Sequence, residues 1–109
     1  MLINHKISIE RSPIHGWGVF TIDDIQENTL IIQSPGIILK GPSAYIIKEI
    51  AEYTYPFNRD VILCFGYASL INSSDEPNVK FEVDIENKIV NITTIKNIKS
   101  NEEITFKYL

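Results

Sequence analysis

The feature that most constrains this chain is a succession of short runs rich in β-branched residues, separated by residues that favour turns. Residues 3–10 alternate apolar and polar side chains, and residues 79–85 do the same. A period of two is typical of a strand with one buried face. Residues 86–88 join the second run to the β-branched residues 89–95, which predicts a hairpin. The pattern therefore predicts a compact, mostly antiparallel β domain.

The remaining runs predict five more strands and little helix. We expect strands at residues 19–22, 29–33, 36–39, 61–65 and 104–106, with Ser34-Pro35 separating the second from the third. Ser43 can cap one short helix, because apolar residues recur at helical spacing over positions 46–51. Residues 66–71 predict a helical turn.

Length and composition limit the class of protein. With 109 residues the chain is expected to form one domain around one core. No apolar run approaches the ~20 residues that cross a bilayer, and Lys6, Glu10 and Arg11 interrupt the start where a signal peptide needs apolar residues. We therefore expect an intracellular protein without a membrane partner. A net charge of -4 argues against direct binding of nucleic acid and is compatible with a basic peptide as partner.

Cysteine and histidine are too few for several kinds of site. The one cysteine, Cys64, lies between Leu63 and Phe65 and is predicted to be buried packing and not a nucleophile. The chain has two histidines and no Cys/His cluster, so we expect no metal site.

Three polar or glycine-containing stretches interrupt the β pattern. Residues 70–79 read L-I-N-S-S-D-E-P-N-V, a composition that favours a fixed turn and fits either a site or an ordinary surface loop. Residues 12–20 read S-P-I-H-G-W-G-V-F, where two glycines permit a turn with positive φ and close approach of a bulky group. Residues 101–109 read N-E-E-I-T-F-K-Y-L. Glu102 and Glu103 could pair with the polar segment or with a basic substrate, although charges before a strand are commonly solvated.

These three stretches, in this order, resemble the motifs of the SET-domain family of protein lysine methyltransferases, especially its short viral and bacterial members. The resemblance covers residues 3–108 and implies a single SET domain over residues 1–109. It implies the SET fold, a β-clip-like arrangement of small antiparallel sheets around a knot-like crossing. In that crossing the closing segment passes beside residues 70–79.

The resemblance also implies S-adenosylmethionine as cofactor. Its loop would be formed by His15, Gly16, Trp17 and Gly18. Asn72 would hydrogen-bond the methionine end through its side chain, and Ser73 would meet the adenine through its backbone. Ser73 stands where the family usually has histidine, which leaves cofactor affinity open. Trp17 could instead be a core aromatic beside a tight turn.

The same resemblance implies which residues would bind the substrate lysine. Tyr108 corresponds to the catalytic tyrosine, and Tyr53 to a tyrosine that lines the lysine channel and assists there. Tyr67 and Phe106 would line the channel too, and a Phe at position 106 is compatible with transfer of more than one methyl group. Each of these aromatics could alternatively be a core residue.

The sequence therefore leaves two functions open. One is an S-adenosylmethionine-dependent protein-lysine N-methyltransferase, with a histone tail as a candidate substrate. The other is a catalytically inactive SET-like domain that acts as a binding or assembly module. Only Leu109 follows Tyr108, whereas the family usually continues and closes the channel. We expect either that a second copy supplies that wall, in a homodimer, or that the site is open and weak.

Overall fold

The computed structural model describes residues 2–3, 6–41 and 53–107, and these ranges form a mostly β structure. The strands are β1 (Leu2–Ile3), β2 (Ile7–Arg11), β3 (Trp17–Thr21), β4 (Leu30–Leu39), β5 (Thr54–Phe57), β6 (Asp60–Cys64), β7 (Asn72–Ser73), β8 (Val79–Asp84), β9 (Ile89–Thr94) and β10 (Glu103–Phe106). A 3₁₀ helix, Tyr67–Leu70, confirms the helical turn that the sequence predicts there. The helix predicted after Ser43 lies outside the described residues.

The strands form two sheets. The larger sheet has the order β5-β6-β4-β9-β8, with β1 paired to β4, and the smaller one has the order β2-β3-β10-β7. All pairings are antiparallel except that of β10 with β7, which is parallel. The β8–β9 hairpin forms as predicted, with Val79 opposite Thr94 and Asp84 opposite Ile89.

The core draws on both sheets. Ile32 and Ile92 of the larger sheet and Val19 and Ile104 of the smaller one are fully buried. Burial of each such side chain stabilises the fold by about 1.5–3 kcal/mol relative to exposure. An aromatic trio joins the sheets: Tyr55 of β5 packs against Phe81 of β8 and Phe106 of β10, with ring centroids 4.7 and 5.0 Å apart.

Two strand predictions were wrong in detail. We expected separate strands on either side of Ser34-Pro35, but β4 runs through this pair without a break. Residues up to Pro35 pair with β9, and residues from Gly36 onward pair with β6. Pro35 therefore lies where the strand changes partners. Its missing N–H is tolerated there, and its carbonyl oxygen accepts a hydrogen bond from Phe65 N at 2.8 Å.

The alternating run at residues 3–10 is also divided. Leu2–Ile3 pairs with β4 in the larger sheet, whereas Ile7–Arg11 pairs with β3 in the smaller one. A period of two reports which face of a strand is buried, and it contains no information about which sheet the strand joins. Cys64 is 2% exposed, which confirms its predicted place in the core.

Candidate functional site

A crossing of two remote segments forms the framework of the site. β7 lies parallel to β10, with Asn72 opposite Thr105 and Ser73 opposite Phe106. Asn78, which is buried, holds the crossing through its side chain: Nδ2 donates to the Glu103 carbonyl at 2.8 Å, and Oδ1 accepts from Thr105 N at 2.8 Å. The closing segment thus passes beside residues 70–79, as the resemblance stated above implies.

The loop at residues 12–18, called the glycine loop below, is closed on itself by hydrogen bonds. Ser12 N donates to the Gly16 carbonyl at 2.8 Å, and Ser12 Oγ accepts from Ile14 N at 3.0 Å. Gly16 has φ of 49°, and a Cβ built there would meet no heavy atom within 4 Å. Glycine is therefore favoured at position 16 by backbone conformation and not by lack of space.

Gly18 meets a different requirement. It has no positive φ, but a Cβ at this position would lie 2.4 Å from Oε2 of Glu103 and 3.1 Å from Cβ of Ser12. The group that approaches Gly18 closely is thus the carboxylate of Glu103. The two glycines that the sequence places together serve separate purposes, one conformational and one steric.

Asn72 connects the crossing to the glycine loop. Its Nδ2 lies 3.0 Å from the His15 carbonyl oxygen, 3.2 Å from the Trp17 carbonyl oxygen and 2.8 Å from Oε2 of Glu103. Three acceptors around one amide nitrogen fix which end of the amide faces the loop. Among the described residues, no donor is hydrogen-bonded to Oδ1 of Asn72, which leaves this oxygen as an acceptor for another group.

These segments enclose a cavity of about 310 Å³. This volume is at the lower end of the range for small-molecule sites. Seven of the residues singled out from the sequence line it: His15, Gly16, Trp17, Tyr53, Asn72, Ser73 and Phe106. Trp17 is 49% exposed and lies at the surface, so it is not the core aromatic of the alternative interpretation.

The structure does not bring every predicted site residue to the cavity. Gly18 does not line it and lies against the carboxylate of Glu103. Tyr67 is partly buried and packs against the core without lining the cavity. Tyr108 lies outside the described residues, so its role as catalytic tyrosine stays a prediction.

Sequence reasoning missed several residues of the site. Ile14, Ser69, Leu70 and Ile71 also line the cavity. Ile14, Leu70 and Ile71 lie within the quoted stretches and Ser69 lies just before one, but their apolar or small side chains gave no sign of anything but packing. Of the alternatives given for Glu103, pairing with the polar segment is the one found: its carboxylate accepts a hydrogen bond from Asn72, and it also accepts one from Ser12, which the sequence did not predict.

Two electrostatic features of the described residues are a cation–π pair at the cavity and a buried thiol in the core. The guanidinium of Arg11 lies 4.3 Å from the centroid of the Trp17 ring, a cation–π contact that steadies the exposed indole. Burial raises the pKa of the Cys64 thiol to about 11, which keeps it protonated at neutral pH. In the part of the chain that the structure describes, no group of three His, Cys, Asp or Glu side chains could hold a metal ion. The described ranges also contain no helix with the length and hydropathy to span a membrane.

Comparisons with known proteins agree on one family. A family model described as the SET domain matches residues 16–109. Histone-lysine N-methyltransferase 2D of Homo sapiens is 31% identical over an alignment of 117 residues, gaps included. The alignment covers 95% of this chain and only 2% of that protein. The H3 lysine-37 specific histone-lysine N-methyltransferase of Schizosaccharomyces pombe is 30% identical over 115 residues, covering 94% of this chain and 78% of that protein. A solved Plasmodium falciparum protein, described as a candidate histone methyltransferase, matches with a TM-score of 0.78 at 29% identity, over 98% of this chain and 96% of that chain.

Proposed function

The chain belongs to the SET-domain family and has its fold, and from this premise we propose that it is a protein-lysine N-methyltransferase that uses S-adenosylmethionine. The observation that supports this most is the convergence of the glycine loop, Asn72 and Phe106 on one cavity. These residues come from three parts of the sequence, and a cavity that all three line is what a methyl-transfer site in this family requires.

The residues at the cavity fit the cofactor's chemistry. The Oδ1 atom of Asn72, which accepts no hydrogen bond from the described residues, can accept one from the ammonium of the methionine part. The exposed indole of Trp17 offers a flat apolar surface beside the glycine loop. When bound, S-adenosylmethionine supplies an electrophilic methyl group on a sulfonium, and the chain's own residues must orient it, exclude water and admit a neutral lysine.

Aromatic side chains would receive the lysine. Tyr53 and Phe106 both line the cavity, and an aromatic wall suits an alkyl stem that ends in an amine. Removal from water and a nearby sulfonium both lower the pKa of the incoming lysine, which favours its neutral form. We assign Tyr108 the role of orienting the transferring methyl group through its hydroxyl. Phe106 has no hydroxyl, which leaves room for more than one methyl group on the lysine nitrogen.

We propose a basic, lysine-containing peptide as substrate, with a histone tail as the first candidate. The relatives described above are named as histone-lysine methyltransferases. The net charge of -4 favours a positively charged partner over a nucleic acid.

The experiment that tests this function measures transfer of radioactive methyl groups to core histones. The wild-type chain is expected to label a histone lysine, and Tyr108→Phe is expected to reduce the rate by about 10²–10³-fold, as loss of one group that stabilises a transition state does. Tyr55→Phe is the matched control, because its hydroxyl donates to the Ala68 carbonyl inside the core. That variant should lose stability and keep its rate per folded molecule. Equal rates for wild type and Tyr108→Phe would remove Tyr108 from its role.

A second function, a SET-like binding or assembly module without activity, is favoured by Ser73. This residue is exposed at the cavity and stands where the family usually has histidine. If titration with millimolar S-adenosylmethionine shows no binding, the module becomes the better account.

The homodimer and the intracellular location stay predictions. Analytical sedimentation at two protein concentrations measures the molecular mass and tests the homodimer. Fractionation of the source cells tests the intracellular location. A purely monomeric protein that is active would show that the site needs no residues from a second copy.

A further inference from the structure

One carboxylate connects the three segments that build the cavity. Oε1 and Oε2 of Glu103 lie 2.7 and 2.9 Å from Oγ of Ser12, whose single hydroxyl proton is shared between them. Oε2 also accepts a hydrogen bond from Nδ2 of Asn72 at 2.8 Å. Glu103 belongs to β10, Ser12 begins the glycine loop and Asn72 belongs to β7.

The backbone of Glu103 is held on both sides. It lies opposite Phe20 in the β3–β10 pairing, and its carbonyl oxygen accepts from Nδ2 of Asn78 at 2.8 Å. The carboxylate is therefore presented from a fixed strand, so forming its hydrogen bonds costs little further ordering. Bonds to a charged acceptor are also stronger than those between neutral groups.

Ser12 passes the effect of the carboxylate to the glycine loop. Its Oγ donates to Glu103 and at the same time accepts from Ile14 N at 3.0 Å. Such linked hydrogen bonds reinforce one another. Gly18 provides the room, because any Cβ there would overlap Oε2 of Glu103.

We propose that Glu103 is a positioning residue for the cofactor site: its carboxylate fixes the glycine loop and Asn72 relative to each other. Glu103 does not line the cavity, so it acts through residues that do. The inference rests on the proposed function where it concerns cofactor affinity, but its structural part concerns the loop alone.

An amide can replace this carboxylate in one orientation only. With its oxygen at the Oε2 position, glutamine would accept from Asn72 and Ser12, and its NH₂ group would donate to Oγ of Ser12. In the opposite orientation the NH₂ group would face Nδ2 of Asn72, and two donors would oppose each other. We therefore expect Glu103→Gln to weaken these contacts through loss of the charge, and Glu103→Ala to release both Asn72 and Ser12.

The experiment compares Glu103→Gln and Glu103→Ala with Glu102→Gln as the matched control. Glu102 is exposed, and among the described residues its carboxylate accepts a hydrogen bond from Lys99 N alone. Trp17 is the sole tryptophan, lies at the cavity and belongs to the glycine loop, so its fluorescence reports the loop without any ligand. Calorimetry with S-adenosylmethionine then measures affinity, and circular dichroism confirms that each variant is folded.

The expected result has two parts. Glu103→Ala shifts the emission or anisotropy of Trp17 in the absence of ligand and raises the Kd for S-adenosylmethionine by roughly tenfold or more, the range for loss of a charged hydrogen bond. Glu103→Gln changes both quantities in the same direction and by less, because it can keep the hydrogen bonds without the charge. Glu102→Gln changes neither. In active protein, the KM for the cofactor should rise while the KM for the peptide stays near its wild-type value.

Two other results overturn the proposal. Trp17 emission and cofactor Kd that match the wild type in folded Glu103→Ala would show that the carboxylate positions nothing. The second concerns the Kd of Ser12→Ala and of the double variant Ser12→Ala/Glu103→Ala. If Ser12→Ala leaves the Kd unchanged and the free-energy effects of the two substitutions add fully, the effect of Glu103 does not pass through Ser12. If the wild type itself binds no cofactor, the proposed function fails, and the ligand-free fluorescence still decides whether Glu103 positions the loop.

Discussion

At the scale of single residues, the glycine loop shows how two identical residue types can be required for different reasons. The sequence suggested that the glycines permit a positive φ and a close approach. Gly16 has the positive φ, and Gly18 has the close approach, but the approaching group is Glu103 of the same chain.

This difference predicts distinct costs for two alanine substitutions. Gly16→Ala places a Cβ in the left-handed region with no steric overlap, and should cost about 1–2 kcal/mol in the free energy of unfolding. Gly18→Ala forces Glu103 aside and should cost about 1–3 kcal/mol. Denaturant titration measures both.

A double substitution separates the two causes. In a Glu103→Ala background the penalty of Gly18→Ala should shrink, because its nearest contact is gone, whereas the penalty of Gly16→Ala should not change. An unchanged penalty for Gly18→Ala would contradict the steric account.

Cys64 gives a prediction for the dependence of stability on pH. Burial raises its pKa from 9.0 to about 11, so between these values the unfolded chain loses a proton that the folded chain keeps. The contribution of the thiol to the free energy of unfolding is therefore fully present below pH 9. It declines as the pH rises toward 11, by at most about 2–3 kcal/mol.

The measurement is the free energy of unfolding of the wild type and of Cys64→Ala at a series of pH values from 7 to 11. Lysines and tyrosines titrate in both proteins, so the difference between the two curves isolates the thiol. We expect the stability advantage of the wild type to fall above pH 9. A constant difference would show that the thiol titrates normally when folded.

At the scale of elements, the crossing of β7 and β10 is held by backbone hydrogen bonds and by one buried side chain. Asn78 satisfies the Glu103 carbonyl and Thr105 N, and Asn78→Ala would leave both without their side-chain partner. We expect a loss of about 1–3 kcal/mol for each unpaired group. Asn87→Ala, in the exposed β8–β9 turn, is the control and should cost about 1 kcal/mol or less. Equal losses would show that the crossing does not depend on Asn78.

Some elements were predictable from local pattern and others were not. The β8–β9 hairpin was predictable, because alternation and a short polar connection lie next to each other in sequence. The continuity of β4 through Pro35 was not, because it depends on a change of partner from β9 to β6 that only tertiary structure decides. The division of residues 3–10 between two sheets has the same origin.

At the scale of the whole molecule, strands near the two ends of the chain meet in one sheet. Val19 lies opposite Ile104, and this pairing places the glycine loop beside Asn72. Because they resemble a family, the motifs predicted seven of the residues that line the cavity, although Gly18 and Tyr67, predicted with them, do not line it. They did not predict Glu103 as the junction, since its partners, Ser12 and Asn72, become neighbours only after the chain has folded.

The central claim is that this cavity, built from three remote segments, binds S-adenosylmethionine. Calorimetric titration of the purified chain tests it, with one variant from each segment: Trp17→Ala, Asn72→Ala and Phe106→Ala. Ile85→Ala is the control, because Ile85 is exposed and does not line the cavity. We predict one-to-one binding by the wild type and by Ile85→Ala, and at least tenfold weaker binding by each folded cavity variant. Absence of binding by the wild type at millimolar cofactor, or equal affinity in all variants, would contradict the account.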